Sequence, residues 1–193
     1  VRERTAELDA RVRELEVINT IQQALAGDLD MQGVYDAVGD RLRGVFPGRN
    51  LSIRVYDAAN DSLHFAYVFS EGRRHQVPDE PLAGQGFGRH VITTGRSLLI
   101  NENMREAIAA YGSRKMLDEL EIPKSQLFVP LTAQGRVLGI LQLTDKEREH
   151  AFSEADLRLV QTVASGMGVA LDNARLFNET KEALEQQTAT AEV

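Results

Sequence analysis

Cysteine is absent from this 193-residue sequence, and positive charge is in short supply. Without thiols there are no disulfides, no thiolate zinc sites, no thiol nucleophiles and no thiol redox chemistry. The 22 Lys and Arg stand against 29 Asp and Glu, a net charge of −7. That balance argues against sequence-independent nucleic-acid binding, which rests on clustered cations facing phosphates. The acidic excess is spread thinly along the chain and serves solubility. No apolar run approaches the roughly 20 residues of a membrane span, and the start carries no signal-peptide pattern. These absences fit a cytoplasmic setting. The first residue is Val, so the chain reads as a piece of a longer protein. Its length suits one ordinary domain plus a helical extension, enough to bury a proper core.

The clearest pattern that is present lies between residues 126 and 177. Leu127 to Thr132 and Val137 to Thr144 are apolar runs separated by Ala133-Gln134-Gly135-Arg136, a short glycine-containing link that favours an antiparallel hairpin. A strong helix start follows. Ser153 is placed to cap, Asp156 three residues on to reach back to its amide, and Phe152 and Leu157 to staple the turn. The spacing predicts a helix from Glu154 to about Gln187, roughly 50 Å long at 1.5 Å per residue. Leu157, Val160, Ala164, Met167, Leu171 and Ala174 form its seam, with Val163, Ala170, Phe177 and Leu184 as a neighbouring row. A helix of that length outruns any domain it packs on, so it must meet a partner helix or lead into one.

Towards the N-terminus, Leu8, Val12, Leu15, Ile18, Ile21 and Leu25 recur at spacings of three and four, one apolar stripe on a helix over residues 2–26. Glu7 with Arg11 and Asp9 with Arg13 are acid-before-base pairs that add a few tenths of a kcal/mol each. Leu8, Val12 and Leu15 suit a short coiled-coil seam that ends at polar Asn19 and Gln22. Gly27-Asp28 breaks the helix, and Met31 to Phe46 forms a second with Val34, Val38, Leu42 and Val45 on one side, ended by Pro47-Gly48. Alternating Leu51, Ile53 and Val55 start a sheet, and a turn at Asp57 to Asp61 leads to a second strand, Leu63 to Phe69. Residues 70–83 read as loop. Gly84-Gln-Gly-Phe-Gly88 leads into a short helix stopped by Gly95, and Ser97 to Ile100 is a further strand. Residues 101–123 carry a weak helical pattern in Met104, Ile108, Met116 and Leu120, and a segment of that length between strands suggests a lid or binding segment.

The V-P-L, G-x-L-x-L and F-S-x-x-D-L signatures of the C-terminal unit, the G-x-G followed by T-G-R in residues 82–100, and Ala174-Arg-Leu-Phe resemble the GAF domain family, in the same order, over about residues 15–178. The resemblance implies an α+β fold: an antiparallel sheet with the N- and C-terminal helices on one face and a loop-covered pocket on the other. It implies three parts: a linker helix at 1–14, a sensor domain at 15–178 and a linker helix at 179–193. Such modules sense small molecules and dimerise in bacterial signalling proteins. They sit beside each other or beside histidine-kinase or nucleotide-cyclase outputs of two-component and related systems.

On that reading the pocket is lined by Phe65, Tyr67, Phe69, Phe87, Met104, Tyr111, Met116 and Phe128, with Arg89 and Tyr111 as polar anchors. Alternation puts Phe65, Tyr67 and Phe69 on one strand face; ordinary core is an equally good use for it. Homodimerisation and transmission fall to Leu8, Val12, Leu15, Leu171, Ala174 and Leu184. The family's bilin attaches through Cys, which this chain lacks, and the sulfoxide-reductase branch needs thiols. Cyclic-nucleotide binding is disfavoured, because Asp145 and Leu157 replace the Asn and Glu of that branch's signature; Lys146 and Asp156 would instead pair across the loop. Haem would need an axial histidine, for which only His75 and His90 are placed, and no H-x-x-x-H pair suggests a metal. The glycines of 84–88 lack the dinucleotide spacing; they are a hinge into a helix, or leave its first amides free for an anionic group. No G-x-S-x-G motif supports hydrolysis. The domain is therefore expected to be non-catalytic, either a ligand sensor of unknown ligand or a dimerisation spacer with no ligand.

Overall fold

A computed structural model describes residues 31–113 and 121–191, together with residues 8, 11, 12, 15, 16, 18, 19 and 23, which are helical. The expectations for Glu7, Asp9, Arg13, Ile21, Leu25, Met116 and Leu120 lie outside the described residues.

Helix α1 (Met31–Val45) buries Val34, Val38 and Leu42, the apolar stripe read from the sequence. Strands β1 (Asn50–Asp57) and β2 (Ser62–Ser70) form one antiparallel hairpin, and β6 (Ser125–Ala133) and β7 (Arg136–Asp145) form another. The two hairpins join through β1 and β7, also antiparallel. The segment 70–83, expected to be loop, contributes two short strands, β3 (Arg73–Arg74) and β4 (Glu80–Pro81). Glu71 and Gly72, both at positive φ, turn the chain back so that β3 pairs with one end of β2 and β4 with the other. With β5 (Leu98–Ile100) beside β6, the sheet order is β3-β2-β1-β7-β6-β5.

Alternation along the strands gives the sheet two differently made faces. Leu51, Ile53, Leu127, Val129, Leu131, Leu141 and Leu143 turn to one side, where α1 and α4 (Glu154–Ala191) cover them in the main core. Two glycines set how closely these helices approach. A Cβ on Gly168 would lie 2.1 Å from the Thr132 carbonyl oxygen, and one on Gly39 would lie 2.3 Å from the Tyr67 ring. A smaller core fills part of the other face, where Phe87 and Val91 of α2 (Phe87–Thr94) and Met104 and Ile108 of α3 (Met104–Tyr111) pack on Phe128 and Ile140.

The start of α4 forms as its sequence predicts. The Ser153 amide donates to Asp156 Oδ2 at 2.8 Å and the Asp156 amide to Ser153 Oγ at 3.2 Å, a reciprocal cap. The helix runs for 38 residues, about 57 Å at 1.5 Å per residue. Its buried stripe of Val160, Val163, Ala164, Met167 and Leu171 ends at Asp172, whose buried carboxylate accepts from Gln134 Nε2 (2.7 Å) and pairs with Arg136 and Arg175. Beyond that clamp Leu176, Phe177 and Leu184 are exposed, the last two at 71% and 64%, and Val169 just before it is exposed as well. Leu8, Val12 and Leu15 are exposed in the same way, and Glu16 pairs with Arg41 of α1. No helix among the described residues is long and apolar enough to cross a membrane.

Candidate functional site

On the face opposite α1 and α4, a cavity of about 500 Å³ opens between the sheet and the segment that carries residues 80–89. Its floor is built from alternate positions on four strands: Phe65 on β2, Arg54 on β1, Gln142 on β7, and Gln126 and Phe128 on β6. Leu82, Gly86, Phe87 and Arg89 form the roof, with Gly112 and Ser113 from the end of α3. The aromatic wall is packed, with Phe87 5.5 Å from both the Phe128 and Tyr111 rings, centroid to centroid.

Three polar side chains interrupt the floor. Gln126 and Gln142 are 3% and 9% exposed, and both donate through Nε2 to the same acceptor, Thr144 Oγ1, at 3.3 and 3.1 Å. Their Oε1 atoms are buried with no hydrogen-bond partner. Arg54 donates from Nε to Ser52 Oγ at 3.1 Å, and its guanidinium carbon lies 5.3 Å from the centre of the Phe65 ring. The residue as a whole is half-buried. Desolvation pushes its pKa down to about 10, against a weaker opposing pull from Glu80. Among the described residues no carboxylate pairs with it. Buried polar groups in native proteins nearly always have partners, so two unmet amide oxygens on a single cavity floor are unusual.

Of the lining expected from the sequence, Phe65, Phe87, Arg89 and Phe128 border this cavity. Met104 and Tyr111 pack behind Phe87 in the smaller core, and Met116 lies outside the described residues. Tyr67 and Phe69 are on the other face. The β1–β2 register pairs Arg54 with Phe65 but Ile53 with Tyr67, so Ala66 is an extra residue and the side chains beyond it swap sides. Tyr67 is fully buried beneath α1, donating its hydroxyl to Asp40 at 2.8 Å, and Phe69 lies 3.9 Å under the Arg43 guanidinium.

Arg89 is also not a free anchor. It makes a two-pronged pair with Asp61 at 3.0 and 2.6 Å and donates to the Ala83 and Leu82 carbonyls, tying the β1–β2 turn to the cavity's roof. That bond and the Tyr56 hydroxyl hold the Asp61 carboxyl below its usual range. Of the amides at the start of α2, that of Phe87 is occupied by Ser113 Oγ at 2.9 Å. His75 bonds the Ser70 carbonyl and His90 packs on Tyr111, and neither lines the cavity. Lys146 pairs with Glu71 and Glu121 rather than Asp156, which is engaged at the helix cap. Asp145 is buried and holds its loop by pairing with Arg49 and Arg148.

The sequence reading missed Arg54, Gln126 and Gln142. Their signal is a polar residue at every second position of a strand whose intervening residues are all core. Ser52-Ile53-Arg54 and Leu141-Gln142-Leu143-Thr144 show it, whereas Gln126 only stands at the head of an apolar run.

Comparison with known proteins fits this architecture. Over 167 residues the chain is 26% identical to the formate hydrogenlyase transcriptional activator of Salmonella typhimurium, covering 84% of this chain and 24% of that protein. It thus spans about a quarter of the length of the curated relatives it matches. A shorter stretch of 67 residues is 31% identical to diguanylate cyclase A of Treponema denticola, covering 34% of this chain and 18% of that one. Among solved structures, the GAF domain of a phosphoenolpyruvate-protein phosphotransferase from Coxiella burnetii superposes with a TM-score of 0.66 at 20% identity, over 87% of this chain and 98% of the other. The family model described as GAF domain matches residues 28–172, three quarters of the chain. GAF domains are regulatory domains of signalling proteins and generally non-catalytic. The chain belongs to the GAF domain family.

Proposed function

We propose that this domain is the small-molecule-sensing and dimerising input of a bacterial signalling protein, working in the cytoplasm. The observation that carries this reading is the arrangement of its sheet. One face floors a cavity with unmet buried polar atoms, and the other packs directly on α4, whose apolar row continues past the domain's core. A ligand that closes the cavity and binds two states unequally would shift the packing of α4 on β6 and β7. The terminal helices would carry that shift to an output module: a histidine kinase, a cyclase or a transcriptional activator. Residues 1–14 and 179–193 then act as linkers to neighbouring modules.

Dimerisation is assigned to the exposed apolar positions Leu8, Val12 and Leu15 and to Val169, Leu176, Phe177 and Leu184, with half-exposed Ala174 between them. Leu171, expected in that seam, is 9% exposed and belongs to the protomer's own core, so a charge there would unfold the domain rather than separate a dimer. The test is native mass spectrometry and light scattering on the wild type and on a Phe177→Glu, Leu184→Glu variant. The expected result is a wild-type dimer that retains a small molecule and a folded monomeric variant. A dimer that is unchanged in the variant would sink the helix assignment. A wild type that retains nothing and shows no thermal shift across a metabolite panel would leave only the spacer role.

A further inference from the structure

The geometry points to a small organic monocarboxylate carrying a hydrogen-bond donor as the ligand class of this cavity, with Arg54 taking the carboxylate and the Gln126 and Gln142 carbonyl oxygens accepting from the donor. This rests on the sensing reading and narrows it.

The three groups are neighbours by register. Arg54 stands opposite Ile140 on β7, which puts it diagonal to Gln142, while Gln126 stands opposite Thr144 and is diagonal to Gln142 on the other side. Diagonal neighbours on one sheet face are about 7–8 Å apart at the backbone, within reach of one another's long side chains. A small molecule can therefore touch all three. Thr144 holds the nitrogen end of each amide, and both residues line the cavity with their oxygens left unpartnered. Exchanging the nitrogen and oxygen of one amide would only exchange which group it presents.

Arg54 presents the rest of its guanidinium fork to the cavity, since only Nε has a partner among the described residues. That fork matches a carboxylate's two oxygens. Charge decides between anions. Among the described residues Arg54 is the only cation on the floor, and Glu80 on the rim partly offsets it. Arg89, the other cation of the lining, is committed to Asp61. One partly offset guanidinium balances a single negative charge, not the two of a phosphomonoester. The Phe65, Phe87 and Phe128 wall suits an apolar or aromatic flank on the ligand.

The test is calorimetric titration at low salt with lactate, N-acetylglycine and N-benzoylglycine, with the neutral amide of each and with inorganic phosphate. At least one carboxylate should bind ten-fold or more tightly than its amide. Arg54→Met should weaken that carboxylate at least ten-fold, and Arg54→Lys should restore part of the loss. Thermal melting of ligand-free Arg54→Met provides the control. A partly desolvated cation that no carboxylate pairs with costs stability, so the melting temperature should hold or rise; a marked fall would make Arg54 a structural tie and overturn the assignment. Amides binding as well as acids, or phosphate binding better than both, would overturn the carboxylate class and leave the sensing reading standing. No binding by any probe would overturn this assignment. If, in addition, the native protein retained no small molecule and no metabolite shifted its melting, the sensing reading would fall as well.

Discussion

On β7, Leu141 and Leu143 face α1 and α4, while Ile140, Gln142 and Thr144 face the other way, and the two sets are packed to different standards. The helix-side residues meet apolar partners, and the polar groups near them are tied off at the edges, Tyr67 to Asp40 and Asp172 to Gln134. On the cavity side two of the four floor strands place an amide where a hydrocarbon would close the core, and leave its oxygen without a partner. In the proposed sensing role, one strand would serve stability with its odd residues and recognition with its even ones. The contrast teaches that incomplete satisfaction in an otherwise well-packed sheet marks a place kept for something else.

The comparison is broken most severely at the closest helix–sheet approach. Gly168→Val forces a side chain into the Thr132 backbone and should cost at least about 3 kcal/mol or prevent folding, as read by denaturant unfolding. A pair of adjacent variants then sharpens it. Leu141→Ala, which opens a hole in the main core, should cost about 2–5 kcal/mol. Gln142→Leu removes a half-met polar group and should change stability by no more than about 1 kcal/mol in either direction. Equal losses from the two would mean that both faces are ordinary core.

The smallest effect is expected at the cavity's rim. Asp61 has a carboxyl held below its ordinary value by Arg89 first and then Tyr56. A depressed acid contributes stability above the ordinary carboxylate range of about 4 and loses it as pH falls through its folded-state value. Melting temperature followed from neutral into acid should therefore decline less steeply for Asp61→Asn than for the wild type. The difference should be small because Asp61 is exposed and its pair with Arg89 is open to screening by salt.

Most of the scaffold was legible because it depends on local periodicity. The stripe Val34, Val38, Leu42 and the alternation of Leu51, Ile53 and Val55 each declare their element and its buried side within a few residues, and the Ser153–Asp156 cap declares where a helix starts. The cavity was less legible. Phe65, Phe87 and Phe128 were within reach, since aromatic residues on known elements suggest a lining, but Tyr67 and Phe69 were misplaced by one extra residue. A strand has a period of two, so a bulge reverses every side chain beyond it, and nothing in the run Phe65-Ala66-Tyr67 marks where that happens.

The sequence by itself therefore determined the long helices and the main strands, their order and the chain's membership of the GAF domain family. Only the tertiary structure decided that Arg54, Gln126 and Gln142, which are far apart in the chain, share one floor. It also decided that Arg89 and Leu171 are committed within the protomer. The reason is that periodicity records which way a side chain points, whereas pairing register and helix docking determine what it meets there.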